Sequence, residues 1–599
     1  MSARVEDAPR ALPAPIDVRL GELLAAKAAP GAGVIVARTA ELLSCERLRG
    51  RSSLLIEEWA GRPPAGAEDE GRSESAPLPK AREWIAALRA SGLAGDGRVV
   101  TPLVLTPGGR VYLHRYWRAE RRLTERIRAR LAAPPEEEDF DRLAPLFRRL
   151  FTGARERPDL RSVAAAAVLR GRFAVLSGGP GTGKTTAVAQ IIALLLERDP
   201  GARIALAAPT GKAAARLSAA VAGPSSLTDT LRARPPAPAC TLHRLLDYSP
   251  REDRFRRNAE HPLAADAVIL DEASMVDLLL MDALFDAVSP HARILLVGDS
   301  GQLASVETGY VLGDLCAAAQ PPGKSPAFAA AWSRLSGDTL PAGRAVSSLR
   351  DACVELAWNW RFSEQQRIGA FAEAVRAGRA EAACATLEAA GEDLIHLSPA
   401  RCPRAAQAVE ELLPELRRVV EASDADEALQ SLSDIRILCA VRRGPWGVEA
   451  FNAAAEEALR RCGHPARGLF YPGRPVLITA SDYALSLFNG DLGVLWPKDG
   501  ALCAWFRRPD GTLRSIAPPR LPPHETAWAM TVHKAQGSEF GSVLLVLPDR
   551  DSPLLTRELL YTGITRARRA VRLLASSQTI ALCVARSAAR PSGLCEGLT

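Results

Sequence analysis

The sequence predicts an α/β protein whose larger domains are built on parallel β-sheets. Apolar runs with strand character alternate with helix-like segments, as in "FAVLSGG", "RIALAAPT", "AVILDEAS" and "RILLVGDS". A second alternating series starts near Asp434 with "DIRILCAV" and continues with "SVLLVLP" and "AVRLLA". Strands that alternate with helices are typical of doubly wound sheets. The 599 residues are enough for roughly three or four domains.

Composition and charge are those of an ordinary globular protein, with 47% hydrophobic and 24% charged residues. A formal net charge of +7 permits a polyanionic partner without demonstrating one. The 11 cysteines form no C-x-x-C pair and the eight histidines do not cluster, which indicates neither a zinc site nor a disulfide framework. No stretch approaches the ~18 apolar residues of a membrane span, and the N-terminus lacks the apolar run of a secretory signal. We therefore expect a soluble cytoplasmic protein without a membrane partner.

Polar, proline-rich breaks at 61–80 and 132–141 divide the chain. They separate a small N-terminal region from the two series of strands. We therefore predict an N-terminal domain at residues 1–130, a first α/β domain at 145–350 and a second α/β domain at 351–599.

Local composition also predicts where these domains carry extra segments. Proline, glycine and serine accumulate at 223–239 and at 320–346, which suggests long surface insertions. Short strands from about 468 to 524 predict a small β insertion within the second α/β domain. Its last hairpin is expected to turn at 509–511.

A glycine-rich loop, "GGPGTGKT", fits G-x-x-x-x-G-K-[ST] and lies between a strand and a helix. Glycines let backbone N–H groups close around phosphate oxygens, while Lys184 reaches the β and γ phosphates and Thr185 holds Mg²⁺. The flanking strand and helix make a chance glycine-rich turn a poor alternative. The predicted loop consists of Gly178, Gly179, Pro180, Gly181, Thr182, Gly183, Lys184, Thr185 and Thr186.

Two further strand ends carry polar side chains. Asp271 and Glu272 follow "AVIL" at the edge where such sheets bind ligands. We expect Asp271 to hold the Mg²⁺ shell and Glu272 to polarise the attacking water, although an acidic pair can also cap a helix. Gln302, after the next strand, can position the water or sense the γ-phosphate, or it can be a solvated loop residue. Beside a phosphate loop, these residues predict a nucleoside triphosphatase.

The turn after "RIALAAP" indicates a nucleic-acid contact. Thr210, Gly211 and Lys212 provide a hydroxyl, an N–H and an ammonium that suit a phosphodiester backbone. His243, in "TLHRLL", is a further candidate, although a lone histidine is as often structural. The chain uses Lys only seven times among 76 Lys and Arg, so a retained Lys indicates a position that needs a compact, rotatable ammonium.

Eight segments in order resemble the motif series of superfamily 1 DNA helicases: the phosphate loop, "APTGKAAARL", "TLHRLL", "DEASM", "GDSGQLASV", "NWRF", "TVHKAQGSEF" and "YTGITRARR". Within that superfamily the chain resembles, over nearly its whole length, the RecD family, the alpha subunits of the RecBCD exodeoxyribonuclease (exodeoxyribonuclease V). The resemblance implies two RecA-like motor domains with ATP and Mg²⁺ between them and an SH3-like β insertion in the second. It also implies 5′→3′ translocation on single-stranded DNA.

The same resemblance assigns roles to further residues. Arg361 and Arg566 would reach across the cleft to the γ-phosphate as finger residues. The segment "TVHKAQGSEF" would join DNA contact to nucleotide state, with Thr531, His533 and Lys534 near the DNA and Gln536, Gly537 and Glu539 near the ATP. The N-terminal domain would dock RecB-like and RecC-like subunits. The heterotrimer would act on single-stranded DNA and duplex ends in double-strand break repair by homologous recombination.

Two other functions are compatible with the same motif residues. A free-standing RecD-like helicase would have nearly identical motor segments, but such relatives usually carry a longer N-terminal extension. An ATP-gated structural subunit would have a broken catalytic residue, and none is broken among Lys184, Glu272, Gln302, Arg361 and Arg566. No lysine has an acidic residue two positions earlier, so we expect nuclease activity in a partner.

One departure concerns the nucleotide base. Helicases of this superfamily usually place a Gln upstream of the phosphate loop to read adenine, and "RPDLRSVAAAA" puts Arg161 there. Arg only donates hydrogen bonds, so it suits the N7 and O6 acceptors of guanine better than the amino group of adenine. We predict a relaxed preference for ATP, unless Arg161 turns outward or the alignment is displaced by one or two residues.

Overall fold

The structure, a computed structural model, describes residues 13–62, 77–152, 158–223, 229–343, 347–357, 366–389, 391–482, 484–508, 511–588, 590 and 592–598. Arg361 and the hairpin residues 509 and 510 therefore lie outside the described residues. In the part of the chain that is described, no helix is both long and apolar enough to cross a bilayer.

The N-terminal region combines helices with a small four-stranded sheet of order β1-β4-β3-β2. Its apolar core includes Leu54, Trp84, Leu103 and Val111. Its elements are α1 (Pro15–Ala25), α2 (Gly33–Leu48), β1 (Ser53–Leu55), α3 (Ile56–Trp59), α4 (Ala81–Ala90), β2 (Ala94–Gly95), β3 (Leu103–Leu105), β4 (Arg110–Leu113) and α5 (His114–Leu131).

Helix α5 packs mainly against the first α/β domain, not against the N-terminal sheet. Its apolar face, with Leu123 and Ile127, is buried in one core with helix residues of that domain such as Phe285. Arg122 also donates to both carboxylate oxygens of Asp282, at 3.2 and 2.6 Å. The predicted domain end at residue 130 is therefore too late, because α5 shares its core with the domain that follows.

The first α/β domain has a six-stranded sheet of order β12-β5-β11-β10-β6-β7, in which neighbouring strands are parallel. A separate two-stranded hairpin pairs β8 with β9. The elements are α6 (Phe140–Leu150), α7 (Leu160–Arg170), β5 (Phe173–Gly178), α8 (Lys184–Arg198), β6 (Ile204–Ala208), α9 (Gly211–Ala222), α10 (Asp229–Ala233), β7 (Cys240–Thr241), α11 (Leu242–Leu245), β8 (Tyr248–Ser249), β9 (Arg254–Phe255), β10 (Ala267–Leu270), α12 (Leu278–Ala287), β11 (Arg293–Gly298), α13 (Val311–Ala318), α14 (Pro326–Ser336), α15 (Ser348–Ala352) and β12 (Cys353–Leu356).

Two predictions for this domain are wrong. The stretch 320–346 is not simply a surface insertion, because its helix α14 buries Phe328, Trp332 and Leu335 in the domain core. The second α/β domain does not begin at residue 351, because β12 pairs with β5 and extends the first sheet.

The second α/β domain has a five-stranded parallel sheet of order β13-β22-β21-β14-β20. The β insertion is an antiparallel five-stranded sheet of order β18-β17-β16-β15-β19. The elements are α16 (Gln366–Arg376), α17 (Ala380–Glu388), β13 (Leu394–Leu397), α18 (Ala405–Glu410), α19 (Leu413–Val420), α20 (Ala425–Asp434), β14 (Ile435–Cys439), α21 (Val448–Arg461), β15 (Pro475–Ile478), β16 (Leu492–Lys498), β17 (Ala501–Arg507), β18 (Leu513–Ile516), β19 (His524–Thr526), β20 (Ala529–Thr531), β21 (Phe540–Val546), α22 (Arg557–Ile564), β22 (Ala567–Leu574) and α23 (Ser577–Ala585).

The end of the chain returns to the first α/β domain. The short helix α24 (Gly593–Leu598) buries Leu594 in the core that α5 and α13 share. Just before it, the Ser592 hydroxyl donates to Asp314 at 2.6 Å, and Glu596 pairs with Arg110 of the N-terminal sheet. Residues 592–598 therefore do not pack as part of the second α/β domain, in which the sequence placed them.

Candidate functional site

The glycine-rich loop lies between β5 and α8, as the sequence predicts. Gly181 and Gly183 have φ angles of 80° and 89°, a backbone conformation that favours glycine. The Lys184 ammonium donates to the carbonyls of Gly178 at 2.5 Å and Gly179 at 3.0 Å, so the lysine is folded over its own loop. Backbone N–H groups at the start of α8 and this ammonium form a donor set that suits phosphate.

The acidic pair follows β10 at the same edge of the sheet. Glu272 has a φ of 51°, a left-handed conformation that costs energy in a residue with a side chain. Its N–H donates to Asp271 Oδ1 at 2.9 Å, and its own side chain makes no capping hydrogen bond. Burial and the neighbouring Glu272 carboxylate raise the pKa of Asp271. The pair is therefore held as two adjacent carboxylates, an arrangement that fits a divalent cation.

Gln302 follows β11, and it is not a solvated loop residue. The residue is only 3% exposed, and Nε2 donates to Asp299 Oδ2 at 2.8 Å. The next residue, Leu303, donates its N–H to Thr562 Oγ1 of the second α/β domain at 2.9 Å. The Gln302 loop is therefore tied to both domains.

The second α/β domain closes the site from the opposite side. Arg566 precedes β22 and is 2% exposed, with Nε donating to the Thr562 carbonyl at 3.1 Å and Nη1 to the Ser538 carbonyl at 3.3 Å. Burial lowers the pKa of Arg566, while the carboxylates of Glu272 and Glu539 act in the opposite direction. The resulting cleft of about 500 Å³ is lined by Arg161, Pro180, Gly181, Gly183, Lys184, Thr185, Thr186, Arg216, Asp271, Glu272, Gln302, Glu539 and Arg566.

Two residues predicted near the nucleotide lie at the interface between the two α/β domains, beside this cleft. Gln536 reaches across to the Leu303 carbonyl, to which Nε2 donates at 3.0 Å. Gly537 has a φ of 70° and faces Thr210 and Ala213 of the first α/β domain. These two residues join the domains, whereas Glu539 from the same segment lines the cleft itself.

Sequence reasoning missed Arg216, which lies on α9 and lines the cleft. Its Nη2 donates to Glu539 Oε1 at 2.8 Å across the two domains. The only signal in the sequence is its position four residues after Lys212, which places both cations on one face of a helix.

The predicted DNA residues on the first α/β domain have partners within the protein. Thr210 caps α9, with Oγ1 accepting from the Ala213 N–H at 3.2 Å. Lys212 donates to Ser538 Oγ at 2.7 Å, and burial lowers its pKa to about 8. Gly211 packs against Phe488 of the β insertion.

His243 lies elsewhere on the first α/β domain, in an aromatic group with Tyr248 and Phe255 at ring centroid distances of 5.5 and 5.8 Å. Burial lowers its pKa. This setting agrees with a structural histidine as well as with a DNA contact.

The predicted DNA residues on the second α/β domain follow β20. Thr531 Oγ1 accepts from the Lys534 N–H at 3.3 Å, and the Lys534 ammonium pairs with Glu525 at 2.6 Å. Burial, with a smaller effect of Arg590, lowers the pKa of His533. The DNA-binding roles of these residues and of those on the first domain stay predictions.

Arg161 lies at the beginning of α7 and lines the cleft. Asp159 holds its guanidinium, since Nε donates to Oδ1 at 3.1 Å and Nη2 to Oδ2 at 2.9 Å. Arg161 is therefore part of the nucleotide cleft, and its effect on the preference for ATP stays a prediction.

Two parallel sheets that meet across a phosphate loop, with arginine and glutamate from the second domain in the same cleft, define a P-loop nucleoside triphosphatase with two RecA-like domains. The families that match are the AAA domain at residues 161–308, the UvrD-like helicase C-terminal domain at 526–574, and the N-terminal domain of RecBCD enzyme subunit RecD at 10–112.

Individual relatives agree with these matches. The chain is 40% identical over 535 residues to the RecBCD enzyme subunit RecD of Mycolicibacterium smegmatis, covering 86% of this chain and 87% of that protein. It is 32% identical to the subunit of the same name from Haemophilus influenzae, covering 81% and 80%. The ATP-dependent RecD2 DNA helicase of Deinococcus radiodurans is also 32% identical, with 77% of this chain and 55% of that protein covered. The chain belongs to the RecD family, which confirms the resemblance found in the sequence.

Proposed function

We propose that the protein is the ATP-dependent DNA helicase subunit of a RecBCD-type enzyme, moving 5′→3′ on single-stranded DNA. The observation that carries the proposal is the single cleft into which the first α/β domain sends Lys184, Glu272 and Gln302 and the second sends Arg566. A site shared by two domains makes hydrolysis depend on how those domains are placed.

The cleft residues fit Mg²⁺ and ATP. Thr185 and Asp271 would hold the cation, and the loop N–H groups with Lys184 would hold the phosphates. A cation bound there would supply positive charge that offsets the charge of the phosphates. Glu272 accepts a proton from the attacking water, and Gln302 orients that water. Arg566, buried and fixed by two carbonyls, places its charge without reorganisation where negative charge develops.

Translocation follows from the same arrangement. Arg566 can contribute only when the second α/β domain is close to the first, so hydrolysis requires a closed cleft. Loss of the contacts to phosphate reopens it and moves the DNA-contacting segments of one domain relative to those of the other. Thr210, His243, Thr531 and His533 are the candidate contacts, together with Lys212 and Lys534 once their protein partners release them.

The assembled enzyme is proposed to act on duplex ends in double-strand break repair by homologous recombination. RecB-like and RecC-like subunits would bind the N-terminal region, and a partner would supply the nuclease. The free-standing helicase is the weaker alternative, because the RecBCD subunit RecD N-terminal domain matches residues 10–112 and the identity is 40% to the RecBCD subunit of Mycolicibacterium smegmatis but 32% to the RecD2 helicase.

The experiment is to purify the full chain with and without RecB-like and RecC-like partners, then to measure DNA-stimulated ATP hydrolysis and unwinding. Each base pair opened costs on the order of 1.4 kcal/mol of stacking, so unwinding must be coupled to hydrolysis. Substrates with a 5′ single-stranded tail should be unwound. Efficient unwinding from a 3′ tail alone by the isolated chain would overturn the polarity, and an absence of DNA-stimulated hydrolysis would overturn the function.

A further inference from the structure

Two cationic side chains of α9 reach across the interface between the two α/β domains. Lys212 and Arg216 are four residues apart and therefore share one face of the helix. They reach consecutive residues of the opposite domain: Lys212 donates to Ser538 Oγ at 2.7 Å, and Arg216 donates to Glu539 Oε1 at 2.8 Å. We call these four residues the interdomain clasp.

Glu539 has a cationic partner on each side of the interface. Arg216 belongs to the first α/β domain, whereas Arg568, whose Nε lies 3.4 Å from Glu539 Oε2, belongs to the second. The Glu539 side chain is 8% exposed and that of Arg216 is 45% exposed. Arg216 can therefore leave while Arg568 still neutralises the buried carboxylate.

Arg216 also faces the reactive part of the cleft. Its pKa is raised, although burial alone would lower it, because Glu539, Glu272 and Asp271 all favour the charged form. Arg216 lines the same cleft as the acidic pair of the first domain and donates to the glutamate of the second. Any phosphate ligand that enters the cleft adds negative charge beside Arg216 and competes with Glu539 for it.

We infer that the clasp holds the two α/β domains together. Arg216 acts in it as a positioning residue, through which a ligand in the cleft changes the contacts of the segment 531–540. This inference rests on the proposed function. When Arg216 exchanges Glu539 for phosphate, α9 loses one of the two hydrogen bonds of the clasp to that segment, which also carries Thr531, His533 and Lys534. A partly exposed ion pair is weak and sensitive to salt, so a ligand can break it.

The first test uses neither nucleotide nor DNA. Hydrogen exchange by mass spectrometry compares the full chain with R216A, R216K and R568A. The last is a matched control, because it removes an ion pair to the same glutamate from within one domain. R216A should speed exchange about three- to tenfold in peptides covering 210–217 and 536–540. R568A should leave 210–217 unchanged, and R216K should restore most of the protection.

The second test measures coupling. The ratio of DNA-stimulated to DNA-free kcat for ATP should fall about five- to tenfold in R216A but not in R568A, and R216K should recover part of it. The inference is overturned if R216A exchanges like the unaltered chain in both peptides. An equal loss of kcat with and without DNA would also overturn it, because Arg216 would then act only inside the cleft.

These outcomes separate the inference from the proposed function. An unaltered chain that shows no DNA-stimulated hydrolysis would contradict the helicase assignment, whereas the exchange experiment would still decide whether the clasp exists. A melting curve for each variant identifies any that does not fold. If R216A is unstable, R216Q takes its place in both experiments, because Gln keeps part of the side chain but removes the positive charge that pairs with Glu539.

Discussion

Replacing Arg161 by Gln should raise the preference of the enzyme for ATP over GTP. Arg161 lines the nucleotide cleft, and Asp159 fixes the orientation of its guanidinium through two hydrogen bonds. Arg can donate to the N7 and O6 acceptors of guanine but cannot accept from the amino group of adenine. A Gln carboxamide can do both, so R161Q restores an acceptor for adenine.

The size of the effect is that of one hydrogen bond to a base edge, ~1–2 kcal/mol. This corresponds to about a 5- to 30-fold change in the ratio of kcat/KM for the two nucleotides. The substitution should not disturb α7, because Asp159 caps that helix by accepting from the backbone N–H of residue 161 at 3.0 Å. That hydrogen bond does not depend on the side chain.

The assay is DNA-stimulated hydrolysis of ATP and of GTP by the unaltered chain, R161Q and R170Q. Arg170 ends the same helix and also pairs with a carboxylate, Glu137, but it is not part of the cleft lining. R170Q should therefore leave the ATP to GTP ratio unchanged. If the unaltered protein already rejects GTP by roughly a hundredfold and R161Q changes nothing, Arg161 does not contact the base and the reasoning fails.

Lys184→Gln should weaken nucleotide binding and stop hydrolysis, whereas Glu272→Gln should keep nucleotide bound and trap a closed state on DNA. Titration with a fluorescent ATP analogue checks this, and equal loss of affinity in both variants would contradict the assigned roles. Deleting residues 1–112 should abolish co-purification with RecB-like and RecC-like subunits while DNA-stimulated hydrolysis persists. This deletion keeps α5 (His114–Leu131), which completes the core of the first α/β domain, and retained assembly would refute a docking role for the deleted region.

The sequence was sufficient where function depends on local geometry. A phosphate loop needs glycines at positive φ directly between a strand and a helix, and all of these requirements fall within a few consecutive residues. Asp271 and Gln302 were accessible for a related reason, since the ends of neighbouring parallel strands meet at one edge of a sheet. Their positions could be predicted from the order of the strands without knowing any contact.

Contacts between distant parts of the chain were not accessible in this way. Arg216 and Glu539 are 323 residues apart, and nothing in the sequence of either segment indicates that it contacts the other.

The error at 320–346 has a different origin. Proline and glycine at both ends of that stretch suggested an insertion, yet Phe328, Trp332 and Leu335 have the spacing of a buried helix face. Periodicity was the better guide there, because the composition of the flanks says little about what lies between them.

The scarcity of lysine indicates structural positions as well as the candidate functional site. Lys184 does lie in the phosphate loop, but Lys324, for which the sequence suggested no role, is equally specific. Its ammonium donates to the carbonyls of Arg350, Asp351 and Cys353 at 2.6, 2.9 and 2.8 Å, where α15 ends and β12 begins. Burial lowers its pKa to about 8. Three carbonyls that converge on one point suit a compact ammonium with three donors and not a planar guanidinium. A retained lysine therefore indicates a position where several acceptors converge on one point. Only the surrounding structure decides whether those acceptors belong to a ligand or to the protein.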